Sequence, residues 1–285
     1  MKVNVIGLGA IGLPMALQIH RAGHTVAGMD VMEAACEKAA AQGMTAVNRV
    51  SDLPASETVV VMVATPEQLA RLVEEAVETA PAGLAGQHWI IMSTVGPCSV
   101  REQGERLRSA GARVVDAPVT GGVARARTGE LVIFAAGNAA DIEAVRPVLE
   151  AMGAVRHTGA MLGDGQAIKV VNQHLCSVHI VAAAEALSLA RSLGLDPAQV
   201  LPLIEKGAAG SWMLSDRGPR MLQGTDVEVT SAINIFVKDS GLVADAARGC
   251  DAQVPLLDIA HARYCQAADA GLGAHDDSRV IETWQ

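Results

Sequence analysis

The pattern of apolar and polar positions changes character once along the chain, near residue 163. Before that point, short runs rich in Val, Ile and Thr recur at residues 2–6, 25–29, 58–63, 88–92, 113–115 and 131–135. Ala-rich or amphipathic stretches lie between them at 14–22, 32–42, 67–79 and 98–110. Strand-length runs alternating with helix-length ones predict βαβ units, and so a doubly wound, mostly parallel sheet with helices on both faces.

After Gly163-Asp164-Gly165 the chain continues from Gln166 to about Leu193 with neither Gly nor Pro. At about 1.5 Å per residue this predicts a helix of roughly 40 Å, with Asp164 as its expected N-cap. Asp196 and Pro197 predict the cap and first residue of the next helix. No strand pattern returns after residue 193. Two domains are therefore expected, an α/β domain over 1–163 and an all-helical one over 164–285, joined by the long helix.

Gly7-Leu8-Gly9-Ala10-Ile11-Gly12 follows the first strand run and opens the first helical stretch. In that position Gly7 permits a tight turn, Gly9 lets the backbone approach a pyrophosphate, and Gly12 lets helix and strand pack closely. The helix start supplies N–H groups for the phosphates. This predicts a Rossmann-type dinucleotide-binding domain. Asp30 ends the second strand run, where its carboxylate accepts from ribose hydroxyls and repels a 2′-phosphate. Val31, Met32 and Glu33 offer no cation to such a phosphate, so NAD is expected over NADP. The competing reading is that Asp30 only begins a turn.

Ala64-Thr65, Ser93-Thr94 and Thr120-Gly121-Gly122 each lie just past a strand run. Ligands of open α/β sheets bind there, although Ser, Thr and Gly populate any turn. Lys169 falls within two turns of the start of the long helix, and Asn172 and Gln173 share its face at i+3 and i+4. Flanked by Ile168, Val170 and Val171, it reads in two ways. It is a surface charge on an apolar stem, or, if it faces a crevice, a proton-transferring group whose neutral form burial and the helix start favour.

Four segments, in order, resemble the signatures of the β-hydroxyacid dehydrogenases, the family of 3-hydroxyisobutyrate dehydrogenase, tartronate semialdehyde reductase and 6-phosphogluconate dehydrogenase. They are the glycine segment running on through Leu13-Pro14-Met15-Ala16, then Asp116-Ala117-Pro118-Val119-Thr120-Gly121-Gly122, then Gly163-Asp164-Gly165-Gln166 with Lys169, Asn172 and Gln173, and last Lys238-Asp239. The resemblance implies an NAD-linked oxidoreductase acting on a small hydroxycarboxylate. It makes Lys169 the proton donor or acceptor at the substrate hydroxyl and has Asn172 orient the substrate. Thr120, Gly121 and Gly122 would hold the substrate carboxylate, with Gln173 and Trp212 further substrate contacts. Lys238 would close over cofactor and substrate. The implied cofactor contacts are Gly7, Gly9, Ala10, Ile11, Gly12, Asp30, Ala64, Thr65, Thr94 and Lys238.

This chain departs from the family pattern at Ala10-Ile11, where Met is usual, at Thr120 in place of Ser, and at Gln173 in place of a second Asn. Cys176 stands where the decarboxylating members carry Glu, so no loss of carbon dioxide is expected. Segments 208–213, 235–243 and 276–278 resemble the bacterial members that oxidise L-threonate at C2. 3-Hydroxyisobutyrate or tartronate semialdehyde chemistry is the alternative on the same scaffold. A non-catalytic NAD-binding module is the alternative of another class, disfavoured because Lys169 is present.

Composition narrows the partners. A formal net charge of −9 argues against a nucleic-acid or anionic-membrane binder, since both need a basic surface. Five cysteines without a CxxC or short Cys/His spacing fit a reducing, cytoplasmic setting and no metal. His174 and His179 are five apart and lie on different helix faces. Cys176 reads as a small buried hydrophobe. Residues 1–10 are too short and too broken for a signal sequence, and no apolar span free of polar residues suggests a membrane segment. Only 2% of residues are aromatic, so Ala, Val, Leu, Ile and Met must build the core. With the long Ala-rich helix this suggests a homodimer or homotetramer paired through the helical domain.

Overall fold

The structure, a computed structural model, describes residues 1–79 and 84–284. It contains two compact units, Met1–Lys169 and Val170–Gln285. The division lies inside the long helix, six positions beyond the break in pattern at residue 163.

In the first unit, β1 (Lys2–Ile6), β2 (Thr25–Met29), β3 (Thr45–Val47), β4 (Thr58–Val61), β5 (His88–Ile91) and β6 (Arg113–Asp116) form a parallel sheet ordered β3-β2-β1-β4-β5-β6. β7 (Val119–Thr120), β8 (Leu131–Ala136) and β9 (Gly153–Gly159) extend it, with β8 antiparallel to β6 and β7 and parallel to β9. Chain order reverses between β1 and β4, which opens a crevice at the carboxyl ends of those strands.

The helices follow from the two-sided burial of the strands. Val60, Ile90, Met92 and Val115 pack with α1 (Gly12–Arg21), α2 (Glu33–Ala40), α5 (Gly122–Thr128) and α6 (Ala139–Glu150), through Met15, Ile19, Ala39, Ala126, Val145 and Leu149. Val59, Val61, Ile91 and Val114 face the other way, onto Leu69 and Val73 of α3 (Pro66–Thr79) and Val100 and Leu107 of α4 (Pro97–Ser109). Each such side chain contributes about 1.5–3 kcal/mol on burial, so neither face is stable uncovered.

The expected doubly wound sheet and its first helices are present, with differences at the ends. The strand runs at 58–63 and 88–92 stop at Val61 and Ile91. β3, β7, β9, α5 and α6 were not expected from the pattern. β3 and β7 have three and two residues, too few to show a period. β9 carries Arg156 and His157 and has an exposed outer edge, so it lacks an apolar alternation.

α7 (Asp164–Ser192) starts one residue before the expected cap takes effect. Asp164 is its first helical residue and not its N-cap: Ala167 N donates to Gly163 O at 2.9 Å, and the Asp164 carboxylate accepts from Met161 N at 3.1 Å. Gly163, with φ +97, makes the turn that an aspartate cap would have made. By length and composition α7 would pass as a membrane span, yet Ile180, Ala184 and Leu187 build the core of the second unit.

That second unit continues with α8 (Pro197–Ile204), α9 (Trp212–Met221), α10 (Ile233–Arg248) and α11 (Pro255–Ala267) and ends in the 3-10 helix Asp277–Trp284. Asp196 caps α8 as expected, accepting from Ala198 N at 2.9 Å. Phe236 and Tyr264 stack at 5.2 Å, and the Tyr264 hydroxyl donates to Ser177 O at 3.0 Å.

A charged cluster fastens the end of this unit to α9. Arg217 forms a bidentate pair with Asp277, at 2.9 and 2.8 Å, and Arg220 donates to Asp276 at 2.7 Å. The fully buried Arg279 donates to the carbonyls of Gln223 and Arg220. Burial pushes the Asp277 carboxyl above its ordinary range, and the Arg217 guanidinium opposes that. Asp277→Ala would leave the Nε and Nη2 groups of the buried Arg217 without an acceptor, Asp216 engaging only Nη1. The unfolding free energy of this unit should fall by about 3–5 kcal/mol, measured by urea titration of tryptophan fluorescence. A loss under about 1 kcal/mol would mean that the pair behaves as a solvated one.

Candidate active site

Gly7 leaves β1 with φ +93, and its N–H donates to Met29 O at 2.8 Å. A Cβ on Gly7 would lie 2.4 Å from Met62 O, and one on Gly12 would lie 1.8 Å from Gly7 O. Both positions therefore exclude any side chain. Gly9 differs, because a Cβ there would meet nothing within 4 Å. The peptide at Gly9 is open to a ligand, and Leu8, Gly9, Ala10 and Met32 line a groove of about 900 Å³. Ile11 caps α1 without a side-chain acceptor, and no acidic residue lies in the first turn. The helix's own first turn thus supplies no anion to its positive end, as suits a pyrophosphate site.

Asp30 combines both readings made of it. One carboxylate oxygen accepts from Leu8 N at 2.8 Å and the other from Met32 N at 2.9 Å. It thereby fastens the glycine turn to the end of β2, and each oxygen retains a lone pair for a ribose hydroxyl. Ala64 and Thr65 are engaged differently from the expectation. Gln68 Oε1 accepts from Ala64 N at 2.8 Å and Thr65 N at 3.3 Å, while Thr65 Oγ1 accepts from Gln68 N at 3.2 Å. This reciprocal cap starts α3 and occupies the backbone donors that a cofactor would otherwise meet there.

The loop after β5 and the first turn of α7 meet at two fully buried residues, Asp116 and Gln166. Gln166 Oε1 accepts from Val95 N and Gly96 N at 3.1 and 3.0 Å. Its Nε2 donates to Ser93 O at 2.9 Å and to Asp116 Oδ1 at 3.2 Å. Asp116 Oδ2 accepts from Gly163 N and Gln166 N at 2.9 and 3.1 Å. Half-buried Thr94 lies in the loop so held. Thr120 ends β7, and Gly121 and Gly122 take φ +130 and +65 as the chain turns into α5. Lys169 lies one turn past Gln166 and is only 7% exposed, so it is no snorkelling surface lysine.

In the second unit, Asn172 Nδ2 donates to Gln173 Oε1 at 2.8 Å and to Cys176 Sγ at 3.3 Å. Cys176 is half-buried and accepts this bond, so it is more than the buried hydrophobe expected. Gln173 Nε2 donates to Asp239 Oδ2 at 2.5 Å, and Lys238 Nζ pairs with Asp239 Oδ1 at 2.7 Å. Asp239 therefore links Gln173, and through it Asn172, to Lys238. Trp212 is 46% exposed and lies outside the core. Ser211 caps its helix, accepting from Leu214 N at 3.0 Å, and the Arg217 guanidinium lies 5.8 Å from the ring centroid. Asp116, Gln166 and Asp239 stood inside recognised motifs without an assigned task. The available signal was a lone acid closing the apolar run Val114-Val115.

A strand-turn-helix that excludes side chains at two glycines, opens at the third and faces an acidic residue at the end of the next strand defines an NAD-binding oxidoreductase fold. The chain belongs to the β-hydroxyacid dehydrogenase family: residues 2–170 match the NAD-binding domain of 6-phosphogluconate dehydrogenase, and residues 163–284 match the NAD-binding region of NADP-dependent 3-hydroxyisobutyrate dehydrogenase. It is 37% identical to an L-threonate dehydrogenase of Cupriavidus necator, covering 99% of this chain and 95% of that one. It is 33% identical to an L-threonate dehydrogenase of Escherichia coli K12, covering 98% and 93%. Among solved structures, a 3-hydroxyisobutyrate dehydrogenase from Salmonella typhimurium superposes with a TM-score of 0.92 at 31% identity, covering 99% of each chain. The protein is an NAD-dependent hydroxyacid dehydrogenase. NAD, when bound, supplies the hydride acceptor.

Asp30 carries the expectation for cofactor choice. NAD should be preferred over NADP by roughly tenfold or more in kcat/KM, because a 2′-phosphate would meet the carboxylate. Asp30→Ala should narrow that gap and also raise KM for NAD, since Leu8 N and Met32 N lose their acceptor. Steady-state kinetics with both cofactors checks this, and equal use of the two by the unmutated enzyme would overturn it.

Proposed function

We propose that this enzyme oxidises L-threonate, or a closely similar three- to four-carbon sugar acid, with Lys169 accepting the hydroxyl proton. The observation that carries the reading is the burial of Lys169 one turn beyond a helix start held by six hydrogen bonds. A hydroxyl must lose its proton as the carbinol carbon is oxidised, and a buried, positioned amine suits that task. In this reading Thr120 and the N–H groups of Gly121 and Gly122 hold the substrate carboxylate, and Asn172, its amide oriented by Gln173, positions the hydroxyl. The family resemblance assigns Thr94 and Lys238 to the cofactor and Trp212 to the substrate. The similarity to two L-threonate dehydrogenases supports the substrate. The Salmonella structure favours 3-hydroxyisobutyrate as the second reading.

The test is an NAD-reduction screen over threonate, erythronate, glycerate, 3-hydroxyisobutyrate and 6-phosphogluconate. Threonate should turn over without release of carbon dioxide, and activity on 3-hydroxyisobutyrate alone would select the second reading. Lys169→Ala should lower kcat by roughly 10²-fold or more and leave NAD affinity intact by calorimetry. Lys169→Arg should rescue poorly, because a guanidinium holds its proton near neutral pH. Near-normal turnover of Lys169→Ala would remove the lysine from the mechanism.

The same reading includes a homo-oligomer and a cytoplasmic address, to which five free cysteines are suited. Ile168, Val171, Leu175 and Leu189 form an exposed apolar stripe along α7, the kind of face that an identical copy covers in a two-fold pair. Sedimentation should give a dimer or tetramer, and Leu175→Glu combined with Leu189→Glu should lower the mass to one chain. A monomeric unmutated protein would refute the pairing.

A further inference from the structure

We infer that Asp116 and Gln166 are positioning residues for catalysis, a buried carboxylate-amide pair that fixes the first turn of α7, and with it Lys169, against the 93–96 loop and the end of β6. The inference rests on the proposed role of Lys169. Each polar atom of the Gln166 amide is used: Oε1 takes two N–H groups, and Nε2 reaches one carbonyl and one carboxylate oxygen. Only one orientation of that amide satisfies all four partners. Asp116 then must present both oxygens as acceptors, one to Gln166 Nε2 and the other to Gly163 N and Gln166 N. Three segments far apart in the chain, at 93–96, 116 and 163–166, thus meet at one pair.

This arrangement is costly for a scaffold. A carboxylate with no solvent exposure is stabilised only by its hydrogen bonds, and burial pushes the Asp116 carboxyl up to about 6, against the pull of the Gln166, Gly163 and Gly165 bonds. The charged side chains on the neighbouring elements are Arg101 of α4, which donates to Leu162 O, Asp164, which accepts from Met161 N, and Lys169. A folded-state value above the ordinary one means that the fold binds a proton which the unfolded chain releases between about pH 4 and 6. Stability from this group is therefore greatest at low pH and declines as pH rises through that window. The positioning role runs the other way, because a protonated carboxyl loses one acceptor. Through this group, stability and turnover should respond oppositely to pH.

The experiment compares the unmutated full chain with Asp116→Asn and Gln166→Leu. With the hydroxy acid that the unmutated enzyme turns over, kcat/KM should fall below about pH 6, and Asp116→Asn should abolish that acid limb. Its kcat at pH 7.5 should drop by roughly ten- to a hundredfold, the scale of a small misplacement of reacting groups. Calorimetric NAD affinity should stay within about threefold, well under the effect on kcat. Unchanged kcat with the acid limb intact would overturn the proposal, as would a fall in melting temperature with normal kcat per folded molecule. If Asp116→Asn fails to fold, Gln166→Leu carries the same expectation for kcat. Hydrogen exchange separates this from the substrate reading: even if no hydroxy acid is turned over, the 93–97 and 160–170 segments should lose protection together in both variants. Unchanged protection would overturn the proposal independently of activity.

Discussion

The first unit depends on a backbone-to-backbone approach that no side chain can share. At Gly12 the first helix comes so close to Gly7 O that a methyl group would stand at 1.8 Å. That contact sets where α1 begins and leaves Gly9 uncovered. Asp30 then closes the turn from the side by taking Leu8 N. The groove for a dinucleotide is thus a by-product of the close packing of the first helix on the turn that precedes it. Its chemistry follows from what the packing leaves out: no side chain at Gly9 and no acid at the helix start.

The second unit adds a polar device to its apolar core. Its core is modest in aromatic content, with one stacked pair, Phe236 and Tyr264. Arg217 and Arg220 meet the buried Asp276 and Asp277 and the half-buried Asp216, while the buried Arg279 donates to the carbonyls of Gln223 and Arg220 and pairs with Glu282. Buried pairs of this kind contribute little net stability compared with apolar replacements, but they penalise any arrangement that leaves one partner alone. They therefore serve register. Arg217 also lies over Trp212, so the same cluster sets the orientation of an exposed ring.

Much of this was legible in the sequence where a period or a spacing carries the information. Residues 2–6 and 25–29 became β1 and β2 without adjustment, because both are buried apolar runs ended by turn residues. The glycine turn and Asp30 were legible because their spacing on strand and helix starts sets the geometry, whereas spacing left Lys169 open between a surface charge and a crevice residue, and only the resemblance gave it a role. Asp164 shows the limit: an Asp before an apolar run suits a cap, but Gly163 at φ +97 provides the turn, and the carboxylate goes to Met161 N. Asp116 shows it more sharply. Nothing local distinguishes an aspartate that starts a turn from one that receives three donors out of one distant segment, residues 163–166. Ala64 and Thr65 were expected at a ligand, and the Thr65–Gln68 cap that occupies them was readable as a threonine three places before a glutamine.

The charged cluster has a consequence for the order in which the polypeptide matures. Synthesis delivers a chain from its N-terminus, and domains settle as they emerge. The nine-stranded sheet is complete once β9 has appeared, so the dinucleotide fold is free to consolidate while most of the helical unit is still being made. The helical unit has no such latitude. Arg217 and Arg220 on α9 wait for Asp276 and Asp277, and Val280 and Ile281 close the apolar core only afterwards. During that interval guanidinium groups held by Asp216 alone and an unsealed core coexist, which makes the wait for residues 276–281 a period in biogenesis when this unit needs protection from its neighbours.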